Sequence, residues 1–138
     1  MTNTFEKVDN TLEGVVYFEK ESIKQYLVNE LRNEADQVYY FMTLDSKDMI
    51  QAVYRKQGEP TTIEVFKLAI LEEAAKIILG CKTEGTFSII DIFSDEMTCA
   101  EEMDCLGIII NIPVEYHYII NDAYTFVFQD FLVKGTSN

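Results

Sequence analysis

Apolar and polar residues alternate along this chain with two periods, which together predict a mixture of strands and helices. Runs rich in β-branched and aromatic residues predict strands at 13–18, 38–44, 49–55 and 86–93. Apolar residues spaced three and four apart predict a helix that begins at Ser22. The pattern therefore predicts one α+β domain with a mostly antiparallel sheet.

The longest predicted helix spans residues 61–79. Thr61 and Glu64 have the spacing of a capping box at its start, and Gly80 follows its end. Apolar residues surround most of this helix, which predicts a central position covered on more than one side. Its predicted core face comprises Phe66, Ile70, Ala74 and Ile77.

A short acidic helix is predicted over residues 95–105, with Ser94 as its N-cap. Asp95 and Glu96 occupy its first turn, where the helix dipole favours negative charge. The side facing the core is predicted to consist of Met97, Ala100 and Met103. The opposite side is predicted to carry an outward row of Asp95, Glu102 and Asp104.

The C-terminal part of the chain is predicted to return to strands. Residues 106–114 predict a buried strand, and residues 116–133 predict a hairpin around Asn121-Asp122, with a buried helix over 115–133 as the alternative. The order of elements then becomes two βαββ units joined by the helix at 61–79. This order resembles the effector-binding domains of the gyrase-inhibitor family, in which ligands lie between the two halves. The resemblance is confined to element order and implies no functional residue.

Composition is consistent with one domain and an intracellular location. Residues 1–12 are polar and predict a frayed N-terminus, so the domain is expected to span 13–134. The first residues lack a signal-peptide pattern and no apolar run approaches a bilayer span, which favours a cytoplasmic protein. The odd number of cysteines predicts reduced thiols. A zinc site formed by Cys81, Cys99, Cys105 and His117 is disfavoured, because the spacings between these residues match no known zinc finger or zinc ribbon.

Charge is distributed unevenly along the sequence. The net charge is −13, and residues 83–133 contain ten Asp or Glu and no Lys or Arg. Such a segment repels phosphate and anionic membranes and attracts basic proteins, so direct nucleic-acid and membrane binding are not expected. The same pattern is also typical of a solvated surface that maintains solubility.

Few residues suggest chemistry. The six glycines are isolated, and no motif of a hydrolase, metalloprotease or redox enzyme is present. Glu115 and His117 lie two residues apart on a predicted strand, where the carboxylate could orient the imidazole. Asp91 lies among apolar neighbours, which would raise its pKa if it were buried. Tyr116 and Tyr118 begin an aromatic run that predicts either a core face or an interface.

These observations favour a non-catalytic acidic protein that docks on a basic surface of a partner such as a nuclease or toxin, as inhibitor, immunity and anti-defence proteins do. The predicted partner-binding residues are Asp95, Glu96, Glu101, Glu102 and Asp104. Two alternatives remain open: a small-ligand sensor with its site between the βαββ halves, and a structural or assembly subunit. An enzyme is disfavoured by the single histidine, and no cofactor or metal is expected.

Overall fold

Three helices and six strands form the part of the chain that the computed structural model describes, residues 5–8, 20–35, 37–83, 95–122 and 124–129. The helices are α1 (Lys20–Arg32), α2 (Thr62–Leu71) and α3 (Asp95–Ile110). The strands are β1 (Glu6–Lys7), β2 (Val38–Leu44), β3 (Ile50–Gln57), β4 (Lys76–Lys82), β5 (Val114–Ile120) and β6 (Thr125–Val127). The predicted single α+β domain is confirmed.

The strands form one mixed sheet in the order β1-β3-β2-β4-β5-β6. Neighbouring strands pair antiparallel except β4 and β5, which run parallel with Ile77 opposite Val114. Two adjacent parallel strands require a crossover, and α3 lies within the segment that joins them. The sheet is therefore mostly antiparallel, as the hydrophobic pattern predicts.

Each face of the sheet has its own hydrophobic core. On one face, Leu27 and Leu31 of α1 pack among buried residues of β2, β4 and β5. On the other face, Phe66 of α2 and Met103 of α3 pack among the alternate residues of the same strands. We refer to the second pair of helices as the α2/α3 layer. The sheet is thus covered by helices on both sides, which explains why the central strands β2 and β4 are buried along almost their whole length and are mostly apolar.

The predicted helix at 61–79 is wrong in its second half. Its capping box is confirmed, because Thr61 and Glu64 exchange hydrogen bonds between side chain and backbone. The helix ends at Leu71, however. Two residues later, Glu73 adopts a left-handed conformation (φ 55°) and turns the chain towards β4. Gly80 therefore lies within β4, where an added Cβ would approach Leu31 of α1 to 3.0 Å.

The predicted strand at 106–114 is wrong, because its first five residues belong to a helix. Residues 106–110 continue α3, and only Val114 begins a strand. Asn111 ends this helix in a left-handed conformation (φ 62°), which asparagine tolerates better than most residues. Residues 106–110 contain no polar residue, so this run taken alone shows no period that separates a helix from a buried strand. Ser22 is not the N-cap of α1, because the helix already includes Lys20.

Other predicted elements are confirmed or lie outside the described residues. The strand at 38–44 matches β2. The hairpin around Asn121-Asp122 is present as β5 and β6, so a helix over the whole of 115–133 is wrong. The second strand is shorter than predicted, because β6 ends at Val127 and residues 128–129 are helical, while 130–133 lie outside the described residues. The predicted strands at 13–18 and 86–93 and the residue Asp91 lie outside the described residues. The two βαββ units depend on those strands and remain a prediction.

Candidate functional site

The two sides of α3 differ in exposure, and this difference defines a candidate surface. Ala100 and Met103 are buried, as the sequence predicts, and the side chain of Met97 lies outside the described residues. The exposed residues recur at intervals of three and four positions: Thr98, Glu101, Glu102, Cys105, Ile108 and Ile109. This interval corresponds to one face of an α-helix, so these six residues form a continuous row that we call the outward stripe.

The acidic residues predicted to bind a partner divide into three groups. Glu101 and Glu102 are exposed on the outward stripe, as expected of a contact surface. Asp104 is only partly exposed, and this burial raises the pKa of its carboxyl group. Asp95 and Glu96 form the first turn of α3, but their side chains lie outside the described residues. The structure thus places Glu101 and Glu102 side by side on solvent-exposed helix surface.

The C-terminal part of the outward stripe is aliphatic and was not predicted. Ile108 and Ile109 are 68% and 76% exposed. The sequence interpretation missed them because it assigned residues 106–114 to a buried strand. The available signal was the continuation of the spacing of three and four residues from Glu101 and Glu102 into the isoleucines. Charge and apolar area therefore adjoin on one helix face.

Gly107 allows α3 to approach the chain that follows it. An added Cβ would lie 2.8 Å from the carbonyl oxygen of Ile112 and 3.3 Å from the amide nitrogen of Val114. It would also lie 3.4 Å from Cζ of Phe66 in α2. Because all three neighbours are close, a glycine at this position keeps α3 packed against both α2 and the beginning of β5.

α2 also exposes large aliphatic side chains. Ile63, Ile70 and Leu71 are 73%, 57% and 69% exposed. The prediction that Ile70 belongs to the core is therefore wrong, although Phe66, Ala74 and Ile77 are buried as predicted. The buried side of α2 includes Ala69, and the next residue along a helix is rotated by about 100°, which turns Ile70 towards solvent.

The residues of β5 that were predicted as a ligand or interface site are largely enclosed. His117 and Tyr118 are buried, whereas Glu115 and Tyr116 are partly exposed. Neither ring nitrogen of His117 has a hydrogen-bond partner among the described residues, so Glu115 does not orient the imidazole. Burial lowers the pKa of His117 from its ordinary value of 6.5 to about 4. This ring is therefore neutral at physiological pH.

A groove of about 270 Å³ lies between α2 and the β1–β3 edge of the sheet. Its lining residues are Phe5, Tyr54, Glu64, Lys67, Leu68 and Leu71. Two of them, Phe5 and Tyr54, pack against Phe41 with ring centroids 5.5 and 6.0 Å away. Glu64 is held by Lys56 at 2.8 Å. The groove is mostly apolar and small for a ligand pocket.

Metal-ligating side chains are dispersed. Cys81 and Cys99 are buried while Cys105 is exposed on the outward stripe. Within the described ranges, no three His, Cys, Asp or Glu residues are grouped to hold a metal ion. The helices α1, α2 and α3 are each too short or too polar to cross a bilayer.

In comparisons with known proteins, no family model and no curated protein matches this chain. A function must accordingly be inferred from the exposed surface, its charge and its packing.

Proposed function

We propose that this chain is a non-catalytic binding module that docks through α3 on a basic surface of a partner protein. The observation that carries the proposal is the outward stripe, where Glu101 and Glu102 are exposed next to the exposed Ile108 and Ile109. Protein interfaces combine an apolar centre with charged residues at the rim, and this stripe contains both within four helical turns. α3 itself contains no Lys or Arg.

The charge of the chain supports a basic partner. Carboxylates on a protein of net charge −13 create a negative potential that accelerates the approach of a positive surface. A nuclease or toxin that binds nucleic acid presents such a surface, and carboxylates can take the place of phosphates on it. The proposal therefore predicts association that is fast at low salt and slows as ionic strength rises.

Two charge-matched variants test this proposal. The first reverses Glu101 and Glu102 to lysine on α3. The second reverses Glu21 and Glu30, which are exposed on α1 at the opposite face of the sheet. Both changes alter the net charge by four units, from −13 to −9, so they differ only in location. Both variants should remain folded because exposed charges contribute little to stability.

The measurement begins with affinity capture from the native host, followed by association kinetics with the purified partner at low and high salt. We expect the α3 variant to associate roughly tenfold more slowly at low salt, and the α1 variant to change far less. Equal slowing by both variants would assign the effect to net charge. An unchanged rate for the α3 variant would remove α3 from the binding surface.

A further inference from the structure

The chain segments that follow α2 and α3 meet, because the amide of Ile77 donates a hydrogen bond to the carbonyl of Pro113. α2 ends with hydrogen bonds from the amides of Glu73 and Ala74 to the carbonyls of Ile70 and Ala69. α3 repeats this arrangement, with the amides of Asn111 and Ile112 bonded to the carbonyls of Ile108 and Gly107. Each helix then enters one of two adjacent parallel strands, β4 or β5. The two C-terminal turns therefore occupy the same end of the α2/α3 layer.

Four large aliphatic side chains are exposed at that end. They are 57–76% exposed and belong to the last turns of the two helices: Ile70, Leu71, Ile108 and Ile109. We call this group the helix-end patch. Single exposed aliphatic residues are ordinary on protein surfaces, but a cluster on neighbouring helix ends is typical of an interaction site.

The electrostatics of this end are strongly negative. The C-terminus of a helix carries partial negative charge, and neither α2 nor α3 has a basic residue in its last turn. Glu72 and Glu73 follow α2 directly and add two carboxylates. The nearby Lys76 is already engaged, because its Nζ lies 2.6 Å from Asp48 Oδ1. Asp48 and Glu115 accordingly raise the pKa of Lys76.

Glu73 is an unfavourable residue at its position in two respects. Its φ of 55° lies in the left-handed region, where helix ends usually have glycine or asparagine. Its carboxylate also lies at the negative end of a helix dipole, where a cation would be stabilising. A residue that costs stability at an exposed position is a candidate for a binding role.

We infer that the helix-end patch binds a basic amphipathic segment of the partner protein. The aliphatic side of that segment covers Ile70, Leu71, Ile108 and Ile109, and its Lys or Arg side chains meet Glu72, Glu73 and the carbonyl ends of both helices. This inference rests on the proposed function and specifies the chemistry of the partner. A second copy of this chain fits poorly, because it would bring the same carboxylates of two strongly acidic proteins together.

The probe is a fluorescent helical peptide of leucine and lysine with its leucines on one side. Its control peptide has serine in place of leucine and therefore the same charge. Anisotropy titrations compare the wild-type chain with two variants that each lose two exposed apolar side chains. Leu71→Ser with Ile109→Ser alters the helix-end patch, whereas Ile63→Ser with Tyr124→Ser alters exposed residues outside it.

We expect the wild-type chain to bind the leucine peptide about tenfold more tightly than the serine peptide. The patch variant should lose this preference and the control variant should retain it. Equal affinity for both peptides, or equal loss in both variants, would overturn the inference. Dimerisation of the wild-type chain in sedimentation, abolished by the patch variant, would also overturn it by assigning the patch to a second copy.

These outcomes are separable from those of the proposed function. The peptide titrations require no native partner, and their variants alter neither Glu101 nor Glu102. A preference for the leucine peptide together with unchanged partner kinetics in the Glu101 and Glu102 variant would retain the patch and reject the acidic surface. The reverse pair of results would retain the acidic surface and reject the patch.

Discussion

His117 makes the stability of this protein depend on pH in a way that a single substitution can isolate. Its side chain is 1% exposed, and neither ring nitrogen has a hydrogen-bond partner among the described residues. Burial lowers its pKa to about 4, whereas the unfolded chain protonates near the ordinary value of 6.5. Protonation therefore favours the unfolded chain, and stability is lost as pH falls from 6.5 through 4.

The magnitude follows from these two pKa values. Linkage between protonation and folding gives a loss of about 2 kcal/mol between pH 8 and pH 5 from this ring alone. His117→Leu removes the titrating group at similar side-chain volume and leaves the backbone hydrogen bond from His117 to Oε1 of Gln129 in place. At pH 8 this substitution should be close to neutral or stabilising, because the described part of the chain offers no hydrogen-bond partner to the buried imidazole that it removes.

Urea denaturation of both proteins at pH 8 and pH 5 measures the effect. The carboxylates are common to both, including Glu34, whose pKa is lowered by its hydrogen bond from Arg55, so their contributions cancel in the comparison. The wild-type chain should lose about 2 kcal/mol more than the variant on acidification. Parallel pH dependence of the two proteins would show that His117 is solvated or hydrogen-bonded in solution.

Three further predictions concern packing and helix ends. Gly107→Ala should destabilise the fold by about 1–3 kcal/mol, because the new Cβ would lie 2.8 Å from the backbone carbonyl oxygen of Ile112. Cys105→Ala, on the exposed side of α3, is the control and should not destabilise it. Melting curves of the two variants measure the difference. Glu73→Gly should raise the free energy of unfolding by about 1 kcal/mol, because glycine adopts the left-handed conformation without strain. Glu73→Gln removes only the charge and should raise it by a few tenths of a kcal/mol. No gain from Glu73→Gly would show that the backbone at this position is not strained. Ile77→Ala should lower the free energy of unfolding by about 2–5 kcal/mol, whereas Ile70→Ala at an exposed site should lower it by less than about 1 kcal/mol. Equal losses in chemical denaturation would show that α2 packs differently.

The elements that the sequence predicted well are those with a distinctive residue type or a cap. Aromatic and β-branched residues located β2 at its observed bounds, and the capping box placed the start of α2 correctly. Two wholly apolar stretches were exchanged instead: residues 77–79 lie in a strand and residues 106–110 in a helix. Both lie where helices cover the sheet, and without polar residues no period distinguishes the two structures.

Only the acidic part of the candidate site could be predicted from the sequence. Acidic residues on an amphipathic helix indicated exposure, and Glu101 and Glu102 are exposed. The helix-end patch could not be anticipated, because it depends on where α2 and α3 end and on the adjacency of β4 and β5. That adjacency is a long-range property of the sheet and has no local signature in the sequence.

The central claim is that the α2/α3 layer, and not the α1 face, contacts the partner. Amide hydrogen exchange of the chain with and without its captured partner tests this directly, since α1 and the α2/α3 layer lie on opposite faces of one sheet. We predict slowed exchange over 98–112 and 70–74, with α1 unchanged. Slowed exchange confined to α1, with both helix ends of the α2/α3 layer unaffected, would contradict the account.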